Sequence, residues 1–256
     1  MNQYEAIFVR KSVRSYLNDP VRPEFLEEIR AKSREFMPLF EEIVTDITIV
    51  DNRKGQFRRF PFPGLRAPYY ILFYSEKAPR YQMNIGYLMQ QMSLWLCSQG
   101  YGTCFLGDIR VKKDLQTKGD MVLTGMMAFG RPHGSSTRKR SEAKRLPLDE
   151  LCVFRETPRD GLRSILEAAR MAPSSMNSQP WRFVVMEGRT HIFTRKHKAD
   201  QMIRHKWEEV DFGILFANIM TAAEELWLDV DLIRLENLTQ KSFPSSQYVI
   251  SAVLRS

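Results

Sequence analysis

Apolar residues recur at i, i+3, i+4, i+7 and i+11 in two places along this chain: Ile85, Leu88, Met89, Met92 and Leu96, and then Phe212, Leu215, Phe216, Ile219 and Ala223. That period is helical, so residues 84–100 and 211–227 are predicted helices, each offering one buried stripe. The two sets lie 127 positions apart, and the same displacement brings Gly86 onto Gly213. It also carries the strand-like run MVLTGMMAF from Met121 onto YVISAVLRS from Tyr248. Shorter runs rich in apolar, β-branched and aromatic residues predict further strands at PYYILFYS (68–75), TCFL (103–106), WRFVVME (181–187) and DLIRL (231–235), and DGLRSILEAARM (160–171) reads as a helix. Each half is therefore mixed α and β. Two elements sharing one offset argue for a duplication, with a first half at 1–134, a linker at 135–147 and a second half at 148–256. Halves of this kind can pack as an internal dimer around a pseudo-twofold axis.

Composition narrows the picture. With 256 residues, 43% of them hydrophobic, the chain can bury a substantial core. No N-terminal run combines a basic start, an apolar core and a small-residue cleavage site, and no apolar stretch reaches membrane-spanning length, so a cytoplasmic protein without a membrane partner is expected. Cys97, Cys104 and Cys152 form neither a C-x-x-C pair nor an even framework, which fits a reducing compartment. The net charge of +8 raises the question of nucleic acid. The densest basic run, STRKRSEAKR (136–145), holds no aromatic residue to stack on a base, and no nucleic-acid-binding motif occurs elsewhere. Nucleic acid is therefore not expected as a partner.

The halves differ in their chemistry. The first opens with VRKSVRSY, where Arg10, Ser12 and Arg14 alternate, and in an extended segment alternation points all three side chains to one face. Guanidinium groups with a hydroxyl between them suit a phosphate, although a solvated basic edge has the same composition. Only the second half holds APSSMNSQPW (172–181), placed between a helix and a strand. Pro173 stops the helix, Pro180 precedes the next strand, and hydroxyl and amide groups lie between them. An ordinary capped turn would use the same residues. Motifs for dinucleotide-binding, P-loop, nucleophile-elbow and zincin chemistry are absent. His133, His191, His197 and His205 show no metal-site spacing.

Together, RKSVRSY, APSSMNSQPWRF, GYGTCFLGD and MAFGRP resemble the flavin-dependent nitroreductase family over most of the chain. The resemblance implies a nitroreductase-like α+β fold in two similar halves, each a mainly antiparallel sheet flanked by helices, packed as an intertwined internal pseudo-dimer. It implies FMN as cofactor, NADPH or NADH as electron donor, and a small-molecule acceptor such as a nitroaromatic or a quinone. It assigns Arg10, Lys11 and Ser12 to the FMN phosphate and Arg14 to the ribityl and pyrimidine side. Phe105, Leu106, Gly107 and Asp108 match the loop passing the ring, and Arg138, Lys139 and Arg140 match a basic tail that reaches the phosphate. Pro173, Ser174, Ser175 and Asn177 would meet the ring from the other half. In the usual homodimer these motifs come from opposite subunits around two flavins; here each occurs once, which resembles the tandem, single-chain branch. One FMN per chain and a site that a monomer can build are then expected. No side chain need act as nucleophile or base, because the flavin carries the hydride. A flavin-binding protein without turnover, and a basic-surface binding module, are the alternatives. The segment 51–66 reads as a substrate lid or a surface loop.

Overall fold

Two compact units, Met1–Glu142 and Ala143–Ser256, divide the chain in the computed structural model, which describes residues 1–55, 65–107, 111–195, 207–235, 238 and 246–255. In the first unit, helices α1 (Gln3–Val9) and α2 (Pro23–Glu35) precede strands β1 (Thr45–Asp51) and β2 (Tyr69–Ser75). Helix α3 (Tyr81–Ser98) follows, then β3 (Gly102–Leu106), the two-residue β4 (Thr117–Lys118) and β5 (Met121–Gly130). The strands form one antiparallel sheet in the order β1-β2-β5-β3, with β4 also on β5. One face of the sheet buries Tyr70, Leu72, Tyr74, Leu106, Met126 and Ala128 together with Val13 and Tyr16 of the N-terminal segment. Thus α1 and the segment behind it are built into the unit.

The second unit begins with α4 (Leu148–Leu151) and β6 (Cys152–Phe154). Then come α5 (Leu162–Arg170), β7 (Trp181–Val185), β8 (Arg189–Arg195), α6 (Glu208–Glu225), β9 (Val230–Ile233) and β10 (Ser246–Leu254). Its sheet runs β6-β7-β8-β10-β9, antiparallel except for the short parallel pair β6-β7. Apart from β6, this order repeats that of the first unit. Helices α3 and α6 have 18 residues each, beginning at Tyr81 and Glu208. Each unit is α+β with a mainly antiparallel sheet and helices, as expected.

One sequence expectation needs correction. The predicted stripe of each long helix is buried, but so are Asn84, Ser93 and Cys97 of α3, and Asp211, Ala217 and Asn218 of α6. For α3 the reason is packing on more than one side, since it meets α1 as well as β2, β3 and β5; α6 packs on α5. Polar residues survive there because they are paired. Ser93 Oγ lies 2.7 Å from Thr103 Oγ1, and the Asn218 amide donates to the Ala168 carbonyl at 2.9 Å. Strands β1 and β8 lacked a clear apolar signal because acids or hydroxyls interrupt them. In β8 two of the buried polar residues are satisfied across the fold, His191 by Ser251 at 2.7 Å and Thr194 by Glu208 at 2.7 Å, while the Thr190 hydroxyl has no partner among the described residues.

Candidate functional site

Helix α1 ends where the Arg10 N–H donates to the Ala6 carbonyl, and the chain then turns extended. It is held in short stitches and not as a regular strand: Arg10 bridges Thr137, Ser12 bridges Thr103 in parallel, and Tyr16 bridges Pro132. The Val13 N–H donates to the Thr103 carbonyl at 2.9 Å, and the Tyr16 hydroxyl closes on the Val13 carbonyl at 2.6 Å. This close approach requires glycine at position 102, since a Cβ there would stand 2.7 Å from Val13 Cγ2. Because the stitches change partner, the expected single face for Arg10, Ser12 and Arg14 is not uniform. Arg10 is 3% exposed, Ser12 and Lys11 are partly buried, and Arg14 is exposed. The three still converge on the Cys104 thiol: burial pushes that thiol up, while Arg14, Arg10 and a hydrogen bond to Ser12 pull it down.

Arg10 is the unusual member. Its guanidinium carbon lies 5.3 Å from the centroid of the Phe105 ring, a cation–π contact. Its Nε and Nη2 are buried with no hydrogen-bond partner among the described residues, and Arg138 Nε is in the same condition. Burial lowers both guanidinium pKa values, and Arg138 lowers that of Arg10 further. A buried cation and a half-buried one that repel each other and leave donors unused are costly unless something anionic joins them. Of the basic tail, Arg138 is the residue electrostatically coupled to Arg10, its N–H bonded to the Val9 carbonyl at 2.8 Å. Arg140 instead stacks on Phe8 of α1 at 4.5 Å, and Lys139 is exposed. Phe105 and Leu106 end β3 and Gly107 follows, partly buried; Asp108 lies outside the described residues.

The second unit presents the polar run as a tight turn. Residues Ser175–Asn177 make one 3₁₀ turn after α5, and Met176, Asn177 and Gln179 all have positive φ, at 52°, 55° and 46°. Non-glycine residues in that region cost roughly 1–3 kcal/mol each and persist only where the surroundings enforce them. Several bonds do so here. Ser174 Oγ accepts the Gln179 N–H at 2.9 Å, and Gln179 Oε1 accepts the Leu146 N–H at 2.8 Å. Asn177 Oδ1 accepts from Arg145 at 2.6 Å, and its amide donates to the Lys144 carbonyl at 3.0 Å. The Ser175 N–H donates to both Asp211 carboxylate oxygens, at 2.8 and 3.1 Å, and its hydroxyl donates to Oδ1 at 3.1 Å. Asp211 is buried, and desolvation pushes its pKa up to about 7 against the pull of these bonds. Pro173 is partly buried ahead of the turn.

Neither Asp211 nor Arg145 was among the sequence candidates. Asp211 could have been found from its place beside the helical stripe, where an acid stands next to Phe212. Of the segment 51–66, residues 56–64 lie outside the described residues, as do His197 and His205. No helix among the described residues is long and apolar enough to cross a membrane.

Fold and site together define a pair of α+β units, one with a cluster of arginines whose guanidinium donors are partly unused and one with a strained polar turn. The chain belongs to the nitroreductase family: the family model described as "Putative TM nitroreductase" matches residues 2–223. Among solved structures it is similar to a "putative nitroreductase" from Thermotoga maritima at 22% identity and a TM-score of 0.65, covering 99% of this chain and 93% of that one. A nitroreductase family protein from Clostridium difficile 630 matches at 18% identity and a TM-score of 0.50, with 61% of this chain covering 99% of that one. A more distant match, at 16% identity and a TM-score of 0.43 over 52% of this chain and 88% of that one, is described as an FMN-dependent nitroreductase from Clostridium difficile R20291. No curated protein matches the chain.

Proposed function

We propose that this protein is an FMN-dependent oxidoreductase that takes electrons from NADH or NADPH and reduces a small organic acceptor, a nitroaromatic or a quinone. The observation that carries this reading is Arg10: buried, stacked on Phe105, beside Arg138, with two guanidinium nitrogens unused. A phosphate monoester supplies the charge and the acceptors these donors lack, and charge-assisted bonds of that kind are the strong ones. The residues present therefore fit the phosphate of FMN. Arg10 and Arg138 would bind it, Ser12 would add a neutral donor, and Arg14 would stand toward the ribityl chain. When bound, FMN supplies reversible two-electron transfer. The protein then has only to orient donor and acceptor in turn at one exposed face, so ping-pong kinetics are expected.

The complementary motif is the Ser174–Asn177 turn of the second unit, which we assign to the flavin ring, with one FMN per chain expected. Support for a duplicated origin comes from the repeated strand order and the common displacement of α3 and α6. Titration of the purified protein with FMN, followed by anaerobic addition of NADPH or NADH, tests the reading. Tight binding near one equivalent and bleaching of the visible band by either nucleotide are expected. Failure to bind FMN overturns the proposal, and binding without bleaching overturns the enzymatic part of it.

A further inference from the structure

We infer that Asp211 is a positioning residue that holds the Ser174–Asn177 turn in the shape that receives the flavin, an inference that rests on the assignment of that turn to the ring.

The first support is a matched set of donors and acceptors. Ser175 presents two donors, its N–H and its hydroxyl, and Asp211 accepts both at 2.8–3.1 Å. An ionised carboxylate is acceptor-only, which is what this partner requires. The first unit shows the alternative. Asn84, displaced from Asp211 by the same 127 positions, binds the backbone of Phe40, its Oδ1 accepting the N–H at 3.0 Å and its amide donating to the carbonyl at 3.3 Å. A neutral amide thus suffices to tie down a loop from this place on the helix.

The second support is cost. An acid in the first turn of a helix is favourable, but an exposed one would serve, and Asp211 is 2% exposed. Burial pushes its pKa up to about 7, so desolvation outweighs everything the serine contributes. Desolvation alone would favour a neutral side chain there. What the acid holds is the start of a turn in which Met176, Asn177 and Gln179 all take left-handed backbone angles. An expensive anchor at the root of a strained turn is the arrangement expected of a preorganised binding surface.

The test compares FMN with riboflavin, which lacks the phosphate, by quenching of flavin fluorescence at pH 8. In Asp211→Asn, affinity for both should fall by a similar factor of ten or more, while the melting temperature of the flavin-free protein is unchanged or raised. In Arg10→Met, only FMN affinity should fall. Wild-type affinity of Asp211→Asn for both flavins, or a loss of affinity that merely tracks a loss of fold stability, overturns the positioning role. Should Asp211→Asn not fold, Asp211→Glu keeps the charge one methylene further out. An equal loss for both flavins is expected again, and unchanged affinity overturns the role. If the wild type itself binds neither flavin, the preceding assignment fails and takes this inference with it.

Discussion

Asn84 and Asp211 occupy the fourth position of the long helix in their respective units, and each reaches back to the loop that follows the preceding helix. One is neutral and closes a loop of apolar residues; the other is a buried acid fastened to a polar, strained turn. The N-terminal segments diverge in a parallel way. Gly102 lets the Arg10–Arg14 segment lie against β3, whereas the position displaced by 127 holds Asp229, an exposed acid paired with Arg255. Two units with a like strand order thus differ by single side chains at positions 127 apart, a neutral amide in one and a buried acid in the other.

The largest expected effect breaks the comparison at Asp211. Its pKa is raised in the folded protein to about 7 from an ordinary 3.8. The native state therefore binds this proton more tightly than the unfolded chain does. Below about pH 4 the group imposes no penalty; as pH rises toward 7 the penalty grows, reaching about 4 kcal/mol for a shift of this size. Urea unfolding of flavin-free protein from pH 4 to 8 should show wild type losing stability relative to Asp211→Asn by an amount of this order. Asn84→Asp should install a similar dependence in the first unit. Parallel pH profiles for wild type and Asp211→Asn would show that the acid is not held in the buried state described.

Next in size is Arg10→Met, which keeps much of the volume and removes the unsatisfied cation. FMN binding should weaken by about 1.5–3 kcal/mol, the usual worth of a hydrogen bond to a charged group. Flavin-free protein should be as stable as wild type or more so, because an unpaired buried charge is lost. Calorimetric unfolding with and without FMN reads both effects, and a destabilised apo protein would argue that Arg10 is a structural residue. Gly102→Ala comes third. Its Cβ would meet three atoms of the β-branched Val13 within 2.9 Å, so the segment must shift, at a cost of about 1–3 kcal/mol. Loss of FMN affinity should accompany the loss of stability, since Ser12 and Arg14 flank the displaced Val13.

Much of this was legible before any coordinates. The apolar stripes of α3 and α6 and the β-branched runs of β2, β5 and β10 announced themselves, because helix and strand periods are written in neighbouring residues. The motifs that carry the family resemblance were legible for the same reason, each being a local cluster. What stayed hidden depends on contacts across the chain. Spacing treats Arg10, Ser12 and Arg14 alike; only the stitches to Thr137 and Thr103 decide that Arg10 turns inward. Asp211 is 36 residues from Ser175, and a one-stripe reading of its helix gives no reason to bury it. Choosing Arg138 as the neighbour of Arg10 required seeing Arg140 stacked on Phe8.

The smallest effect concerns Asn177, which the family resemblance sets against the flavin ring. The structure gives its side chain a second role. Both ends of its side chain are engaged within the second unit, Oδ1 with Arg145 and Nδ2 with the Lys144 carbonyl, and its backbone sits at φ 55°. Asparagine tolerates that conformation better than alanine does. Asn177→Ala therefore gives up two hydrogen bonds on the exposed side of the turn and adds backbone strain, together about 1–2 kcal/mol of fold stability. Asn177→Gly restores the backbone freedom without the side chain, and should recover part of the loss. If flavin affinity falls equally in the alanine and glycine variants while stability differs between them, the side chain itself contacts the flavin. If affinity follows stability, Asn177 acts by holding the turn that Asp211 anchors from beneath.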